Sequence, residues 1–236
     1  MTLSSSGISR PVSSNQTGVH DDLEDRVLAY QRTPFRKPIA PFNRQAFEVA
    51  ERWLADHAGP WIMDSGCGVG ESTRQLARRH PDHLVIGLDR SADRLSRHYD
   101  DTPDNARFLR TDLVDFWRLA AQANWQPERH YLLYPNPYPK KQQLKQRWHG
   151  HPVFPSLVYL GGELECRSNW SIYLDELACA LALYDVTSQI KPVENSPALT
   201  HFEHKYRASG QSVWSLRASI PHANSPADTL QTPPPD

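Results

Sequence analysis

Short apolar segments alternate with amphipathic segments along most of this 236-residue chain. A continuous apolar run suits a strand that is covered on both faces, and the amphipathic segments between the runs suit surface helices. The alternation therefore predicts an α/β fold with a doubly wound, mostly parallel sheet. The predicted strands are residues 60–65, 83–89, 106–112, 129–135, 161–168 and 212–219, the last of them an antiparallel edge strand.

The chain length supports one substantial core with tails rather than two domains. We expect a single domain over residues 21–220, in which residues 21–57 form a basic, helical lead-in. Residues 1–20 are rich in Ser, Gly, Asn and Thr and predict a disordered arm. Residues 221–236 contain five prolines and predict a disordered tail.

Charge and cysteine usage limit the classes of function. The formal net charge is -1, so nucleic-acid binding has to be argued from local patches. The three cysteines form no CxxC pair, and His149 and His151 lack a third ligand nearby, so we expect no metal site. With neither a signal peptide nor a membrane-spanning segment in the sequence, we expect a cytoplasmic protein without membrane association.

A glycine-rich turn, DSGCGVG at residues 64–70, follows the first predicted strand. Glycines let a backbone approach a ligand closely, although dinucleotide enzymes use similar turns. Asp64 would repel a pyrophosphate and attract the ammonium and sulfonium groups of S-adenosylmethionine. Asp89 ends the second strand at the offset of a carboxylate that binds ribose hydroxyls, and Asp112 ends the third, within reach of an adenine amino group. The predicted cofactor is therefore S-adenosylmethionine, with three glycines in its turn: Gly66, Gly68 and Gly70.

These acids also have a plain structural interpretation. Asp64 could cap a loop or helix, and Asp112 could be the N-cap of the helix LVDFWRLAAQ. Carboxylates at three successive strand ends favour the cofactor interpretation, because ligands of such sheets bind at the carboxyl ends of the strands. Cys67 is expected to be a small loop residue rather than a nucleophile.

The fourth predicted strand ends in a proline-rich segment, YPNPYPKK at residues 134–141. Prolines stiffen this loop, and the basic groups interleaved with Tyr138 and Trp148 suit phosphate contact and base stacking. An isolated pair of lysines is more often a solvated surface feature, and Trp148 and Trp170 suit core or hinge packing equally well. The stretch carries four cations without an acid: Lys140, Lys141, Lys145 and Arg147.

At these residues the chain resembles the bacterial tRNA (guanine-N7)-methyltransferase family, as a divergent member. The matching segments lie between residues 34 and 217: DSGCGVGES, GLDRS, RTDLVD, YPNPYPKK, SNWSIYLDE and THFEHKYRASGQSVW. The glycine turn is shared by many methyltransferases, whereas the proline loop and the Thr-x-x-Glu segment followed by Val-Trp are far more specific. The resemblance implies a Rossmann-like, seven-stranded sheet and methyl transfer from S-adenosylmethionine to N7 of a guanosine in tRNA.

The resemblance also implies roles for particular residues. The implied catalytic positions are Asn136 and Glu203. The implied cofactor contacts are Asp64, Gly66, Gly68, Gly70, Asp89, Arg90, Asp112 and Asn136. The implied contacts of the target nucleotide are Lys140, Lys141, Asn169, Thr200, Glu203 and Lys205. The lead-in resembles a basic arm of the family, with possible RNA contacts at Arg32, Arg36 and Lys37.

The chain departs from the family pattern at two acidic site positions. Asn136 and Asn169 stand where the family has aspartates, and Lys205 stands where it usually has arginine. N7 of neutral guanine already presents a lone pair, so positioning and electrostatics matter more than a general base. Asn136 can accept a hydrogen bond from the guanine amino group but contributes no charge, and Glu203 is the candidate to compensate.

Two alternatives stay open. Asn-Pro-aromatic segments after a fourth strand recur in methyltransferases of exocyclic amino groups, although those usually carry a second proline that is absent here. A cofactor- and RNA-binding protein with reduced or lost catalysis would also fit the two missing carboxylates. No heptad or apolar stripe indicates an oligomeric state, so monomer and homodimer are both open.

Overall fold

A seven-stranded sheet organises the protein, seen in a computed structural model that describes residues 9–57, 59–97, 101–194 and 196–222. The strand order is β3-β2-β1-β4-β5-β7-β6, and β1 to β5 all run parallel. The strands are β1 (Trp61–Ser65), β2 (Leu84–Asp89), β3 (Ala106–Arg110), β4 (Arg129–Leu133), β5 (Gly162–Ser168), β6 (Ser188–Pro192) and β7 (Trp214–Ile220).

Eight α-helices accompany the strands in the described part of the chain. Several begin at residues with a clear local reason: Pro41 opens α2, where its fixed φ suits the first turn, and the Ser91 hydroxyl caps α4. The helices are α1 (Leu23–Arg32), α2 (Pro41–Ala55), α3 (Glu71–Arg79), α4 (Ala92–Leu95), α5 (Leu113–Gln122), α6 (Phe154–Leu160), α7 (Ser171–Ala182) and α8 (His201–Ala208). Two 3₁₀ turns, Lys141–Gln146 and Trp148–Gly150, lie between β4 and α6.

Helices cover both faces of the sheet. Because successive side chains of a strand point to opposite faces, Met63 and Ile86 enter the larger core, while Ile62 and Val85 enter the smaller one. The larger core packs against α1, α2, α5, α6 and α7, and the smaller one contains side chains of α3. The doubly wound, mostly parallel sheet expected from the sequence is confirmed.

The final strand is antiparallel, as expected, but it is not the edge. β7 pairs antiparallel with both β5 and β6, so β6 is the outer strand. The sequence pattern predicted no strand at Ser188–Pro192, because this segment is short, polar, mostly exposed and ends in proline. Such an edge strand lacks the apolar run that identifies buried strands, and its proline suits an edge position.

The N-terminal segment differs from its expectation. Residues 9–20 lie against the domain rather than forming a disordered arm: Gln16 is 5% exposed and Val12 packs on the larger core. The local composition is polar, and the partners that order it come from distant parts of the chain. Helices α1 and α2 occupy the expected helical lead-in, while residues 1–8 and 223–236 lie outside the described part. No helix within the described ranges is long and apolar enough to cross a membrane.

The start of β5 tests the packing. Gly162 has φ +82°, and a Cβ there would collide with the carbonyl oxygen of Pro127. We expect Gly162→Ala to lower the free energy of unfolding by about 2–4 kcal/mol, since the left-handed backbone and the overpacking both cost energy. Gly18→Ala is the matched control, because a Cβ at Gly18 meets nothing within 4 Å. The free energy of unfolding of both variants is measured by urea denaturation, and equal values for the two would contradict the prediction.

Candidate cofactor and acceptor site

Asp64, in β1, is a buried carboxylate with one oxygen in hydrogen bonds and one oxygen free for a ligand. Its side chain is enclosed, with the residue 1% exposed, and its Oδ2 accepts hydrogen bonds of 2.6 Å from the hydroxyls of Ser72 and Thr73 at the start of α3. Its Oδ1 has no hydrogen-bond partner among the described residues. Burial raises the pKa of Asp64 to about 6, the two hydroxyls oppose this shift, and the charge of Asp89 adds to it. A cationic ligand would favour the ionised form.

The glycine turn leaves open space beside bare backbone. Gly66 and Gly68 have φ of +81° and +61°, and a Cβ at either would meet nothing within 4 Å. Gly70 also has a positive φ, but a Cβ there would collide with the ring of Phe108, so its role is packing at the start of α3. Gly66 and Gly68 thus form a cradle into which a ligand can approach the main chain.

Asp89 closes this cradle from the end of β2. It is 4% exposed, its Oδ2 accepts from the backbone N–H of Gly68 at 3.0 Å, and its Oδ1 accepts from the N–H of Ser91 at 2.8 Å. Arg94 lies 3.4 Å from the same carboxylate. Arg90, the other residue expected here, is exposed. The structure therefore brings Asp64 and Asp89 to the glycine turn.

Asp112 has the capping role that the sequence left open. Its Oδ1 accepts from the N–H of Val114 at 2.9 Å and so caps α5, while the residue stays half-buried. Asn43, which sequence reasoning missed, holds this turn: its Oδ1 accepts from the N–H of Asp112 at 2.8 Å, and its amide donates to Asp115 at 2.6 Å. Asn43 is 1% exposed, and its position inside the amphipathic pattern of α2 was the one available signal.

The proline-rich loop after β4 has a constrained backbone. Tyr134 and Tyr138 have φ of +54° and +44°, values that side-chain-bearing residues seldom adopt. Asn136 is exposed between them, and its Oδ1 accepts from the N–H of Tyr138 at 3.4 Å. Lys140 and Lys141 are exposed at the end of the loop. The loop thus presents one amide and two ammonium groups at the end of β4.

Arg147 is not one of the surface cations expected from the sequence. It is 0% exposed, and its Nη1 donates to both carboxylate oxygens of Glu176 at 2.6 Å. Its Nε and Nη2 donate to the carbonyl of Tyr138 at 3.1 and 3.0 Å, and its Nη2 also donates to the carbonyl of Lys140 at 3.2 Å. A run of cations in a sequence cannot reveal that one of them folds inward onto an acid of α7.

Glu176 is the carboxylate at the centre of this buried network. His149 is also 0% exposed and lies 2.8 Å from Glu176, so it belongs to the interior. Burial alone would raise the pKa of Glu176, but the hydrogen bonds and charges of His149 and Arg147 outweigh burial and lower it to about 2. In the described part of the chain, no group of three or more side chains could hold a metal ion.

The tryptophans beside this network pack internally. Trp148 lies edge-on to Trp117 with ring centroids 4.7 Å apart. The guanidinium of Arg147 stands 5.0 Å above the ring of Trp170, which is 7% exposed. The core or hinge interpretation of both residues therefore fits the structure better than that of base platforms.

Helix α8 carries the Thr-x-x-Glu segment. The hydroxyl of Thr200 accepts from the N–H of Glu203 at 3.0 Å, so Thr200 is the N-cap. Glu203 is 0% exposed and is paired with Arg167 at 3.0 Å and with Arg207 at 2.5 Å. Its charge is thus neutralised within the fold, which corrects the expectation that Glu203 compensates for the amide of Asn136. Arg167 was missed because the sequence GELECRS does not show that this cation is buried against an acid of α8.

Two further expected residues lie beside α8. Asn169, just after β5, donates through its Nδ2 to Gln211 at 2.9 Å and is half-buried. Lys205 is half-buried on α8. The loop of Asn136 joins this group through the backbone, because the N–H of Tyr134 donates to the carbonyl of Arg167 at 2.8 Å. The carboxyl ends of β4 and β5 therefore meet α8 next to the glycine cradle.

Comparison with known proteins agrees with this geometry. A family model described as "Putative methyltransferase" matches residues 58–216. Curated relatives include the tRNA (guanine-N(7)-)-methyltransferase of Aromatoleum aromaticum, 27% identical over 208 residues that cover 81% of this chain and 74% of that protein. Another of the same name, from a Nocardioides species, is 27% identical over 223 residues that cover 80% of this chain and 86% of that protein.

Solved structures share the fold. The antibiotic-resistance methyltransferase Kmr superposes with a TM-score of 0.51 at 21% identity, covering 75% of this chain and 94% of that one. The 16S rRNA (adenine(1408)-N(1))-methyltransferase of Catenulisporales acidiphilia, solved with its cosubstrate S-adenosylmethionine, superposes with a TM-score of 0.54 at 15% identity, covering 84% and 97%. The sheet and its glycine turn thus define an α/β methyltransferase fold. Since the matched region spans most of the chain, the protein belongs to the methyltransferase family of that model.

The ionisation of Asp64 yields a test of the cradle. Because its pKa is raised to about 6, its charge is present at pH 7 and is lost as the pH falls through 6. We expect S-adenosylmethionine to bind about tenfold more weakly at pH 5 than at pH 7, measured by calorimetry. Asp64→Asn should bind weakly at both values, and Asp82→Asn, in an exposed turn, should follow the wild type. A pH dependence that persists unchanged in Asp64→Asn would contradict this prediction.

Proposed function

We propose that the protein transfers a methyl group from S-adenosylmethionine to N7 of a guanosine in tRNA. The observation that carries the cofactor half is the buried carboxylate of Asp64, with an available oxygen beside open glycine backbone. The acceptor half rests on relatives named tRNA (guanine-N(7)-)-methyltransferase, which align over about four-fifths of the chain. The expected cytoplasmic location belongs to this proposal.

The residues at the cradle fit the proposed cofactor. Asp64 provides a negative charge for the cationic amino-acid end, and Gly66 and Gly68 let the ligand lie against the main chain. Asp89 already orders the turn through Gly68, and in this proposal its carboxylate, at the end of β2, binds the ribose hydroxyls. Asp112 serves the adenine side in this proposal, with its Oδ1 engaged in capping α5. When bound, the cofactor supplies an electrophilic methyl group on a sulfonium.

The acceptor residues act by position and charge. The lone pair of N7 attacks in line, so this chain's task is to hold the base rather than to remove a proton. Asn136 is exposed and supplies an amide for hydrogen bonds to the base edge, and in this proposal the half-buried Asn169 and Lys205 also contact the nucleotide. Lys140 and Lys141 are exposed and would contact phosphates, Lys141 in exchange for its 3.8 Å ion pair with Asp21.

The remaining proposed contacts have supporting roles. Thr200 and Glu203 act as positioning residues in this proposal, because one caps α8 and the other pairs α8 with β5. Arg32, Arg36 and Lys37 in the lead-in extend the basic surface for RNA. Counterions released by such contacts favour binding at low salt.

The deciding experiment identifies the methylated nucleoside. Unmodified tRNA is incubated with the protein and S-adenosylmethionine labelled in its methyl group, then digested to nucleosides for mass spectrometry. Labelled 7-methylguanosine is the expected product. A label on an exocyclic amino group would replace the proposal with amino-group methylation, and cofactor binding without any transfer would replace it with a non-catalytic RNA-binding role.

The amide at Asn136 is tested by restoring a carboxylate. In Asn136→Asp, the oxygen that accepts from the N–H of Tyr138 is kept and a negative charge is added near the developing positive charge on guanine. We expect kcat for tRNA methylation to stay equal or rise, by up to about a hundredfold if the charge is fully effective. Asn136→Ala, which lacks both oxygen and charge, should lower kcat. A large loss of turnover in Asn136→Asp would contradict this role.

A further inference from the structure

Residues 9–20, here called the strap, contact two loops of the proposed acceptor side. At one end the N–H of Ser9 donates to the hydroxyl of Ser209 at 2.9 Å, and the carbonyl of Ser9 accepts from Gln211 at 2.8 Å. Further along, the hydroxyl of Ser14 donates to the carbonyl of Pro139 at 2.6 Å. The strap therefore joins the loop after α8 to the proline-rich loop after β4.

Gln16 anchors the strap in the interior. Its Nε2 donates to Glu176 at 2.5 Å and to the carbonyl of Gly18 at 2.7 Å, and its Oε1 accepts from Arg147 at 3.1 Å. The N–H of His20 also donates to Glu176, at 3.1 Å. Gln16 is a neutral side chain that hydrogen-bonds both members of the buried Arg147–Glu176 ion pair, whose charged groups also contact each other directly. A buried pair of charges needs such extra hydrogen bonds to satisfy its remaining donors and acceptors.

The group that Gln16 holds is the one that shapes the acceptor loop. Arg147 donates twice to the carbonyl of Tyr138, whose φ is +44°, and once to the carbonyl of Lys140. A residue in such a sparsely populated conformation keeps it only where the surroundings impose it. Strap and loop are thus linked directly, from Ser14 to Pro139, and indirectly, from Gln16 through Arg147 to Tyr138.

The other end of the strap reaches the second amide of the acceptor side. Gln211 donates to Ser9 through its Nε2 and accepts from Asn169 through its Oε1. Asn136 and Asn169 are the two amides at positions where the family has aspartates, and both are connected to the strap. The link to Asn169 is the side chain of Gln211, and the link to Asn136 is the proline-rich loop. Helix α1 begins only at Leu23, so residues 9–20 are held by these contacts and not by helical hydrogen bonds.

We infer that the strap is a positioning element of the acceptor site, and that Gln16 sets the conformation in which the loop presents Asn136. This role rests on the proposed function, since it concerns how the acceptor base is held. The cofactor cradle, built from β1, β2 and α3, makes none of the strap contacts described above, so cofactor binding is independent of the strap. Displacement of a catalytic contact by about 1 Å can lower the rate about a hundredfold. We expect the loss of one strap contact to displace the loop by less than this, so turnover should fall by a smaller factor.

The test replaces Gln16 with methionine, which keeps the length of the side chain and removes its hydrogen bonds. The matched control is Gln31→Met on α1, because Gln31 also hydrogen-bonds a distant carbonyl, that of Leu183 just after α7, and its described bond does not involve the acceptor loop. Ser14→Ala removes the direct hydrogen bond to Pro139, and Ser14→Thr keeps a hydroxyl at the same position. Hydrogen exchange of residues 134–147, calorimetry with S-adenosylhomocysteine and steady-state tRNA methylation are measured for each.

We expect Gln16→Met and Ser14→Ala to exchange faster over residues 134–147 and to lower kcat by about tenfold. The affinity for S-adenosylhomocysteine should stay within about twofold of wild type, and Ser14→Thr and Gln31→Met should behave as wild type. Unchanged exchange in Gln16→Met, or a parallel loss of cofactor affinity, would overturn the inference. If the wild type methylates no tRNA, the proposed function fails by itself, and the exchange measurement still decides whether the strap holds the loop.

Discussion

Parallel pairing of β1 to β5 is the constraint on which the site depends. Because these strands share one direction, their carboxyl ends meet at one edge, and residues far apart in sequence become neighbours there. Asp64, Asp89 and Asn136 are examples, each at or just beyond the carboxyl end of a different strand. The sheet thus brings together short segments that are far apart in the chain.

Two buried ion pairs hold the segments of the acceptor side in place. Arg147 with Glu176 fixes the proline-rich loop against α7, and Arg167 with Glu203 fixes α8 against β5. Burying charges is costly, and removing one partner of such a pair typically destabilises by about 3–5 kcal/mol. We therefore interpret these pairs as contributing conformational specificity more than stability. Each pair, with its surrounding hydrogen bonds, favours one arrangement of the segment that it holds.

The cofactor side is largely predictable from the sequence and the acceptor side is not. Glycine turns and acids at strand ends are local patterns, so the residues alone predict a ligand turn at DSGCGVG with Asp89 beside it, and the structure brings these two together. Arg147 pairs with an acid 29 residues away, and Glu203 pairs with Arg167, 36 residues away, as well as with Arg207 one helical turn on. The sequence predicts a surface cation at Arg147 and an available charge at Glu203, and both predictions are wrong. A sequence shows that a residue is charged but not what neutralises it.

By itself, the sequence determined the order of most strands and helices, the position of the glycine turn and the family resemblance, since all three are written in local periodicity and short motifs. Only the tertiary structure decided that β6 is the edge strand, that Asp112 caps α5 and that residues 9–20 pack across the acceptor loops. The first and third features arise from hydrogen bonds between distant segments, which become defined only when the chain has closed around its core. The cap of Asp112 is a local bond to Val114, and the structure decides it by fixing the turn that Asn43 holds.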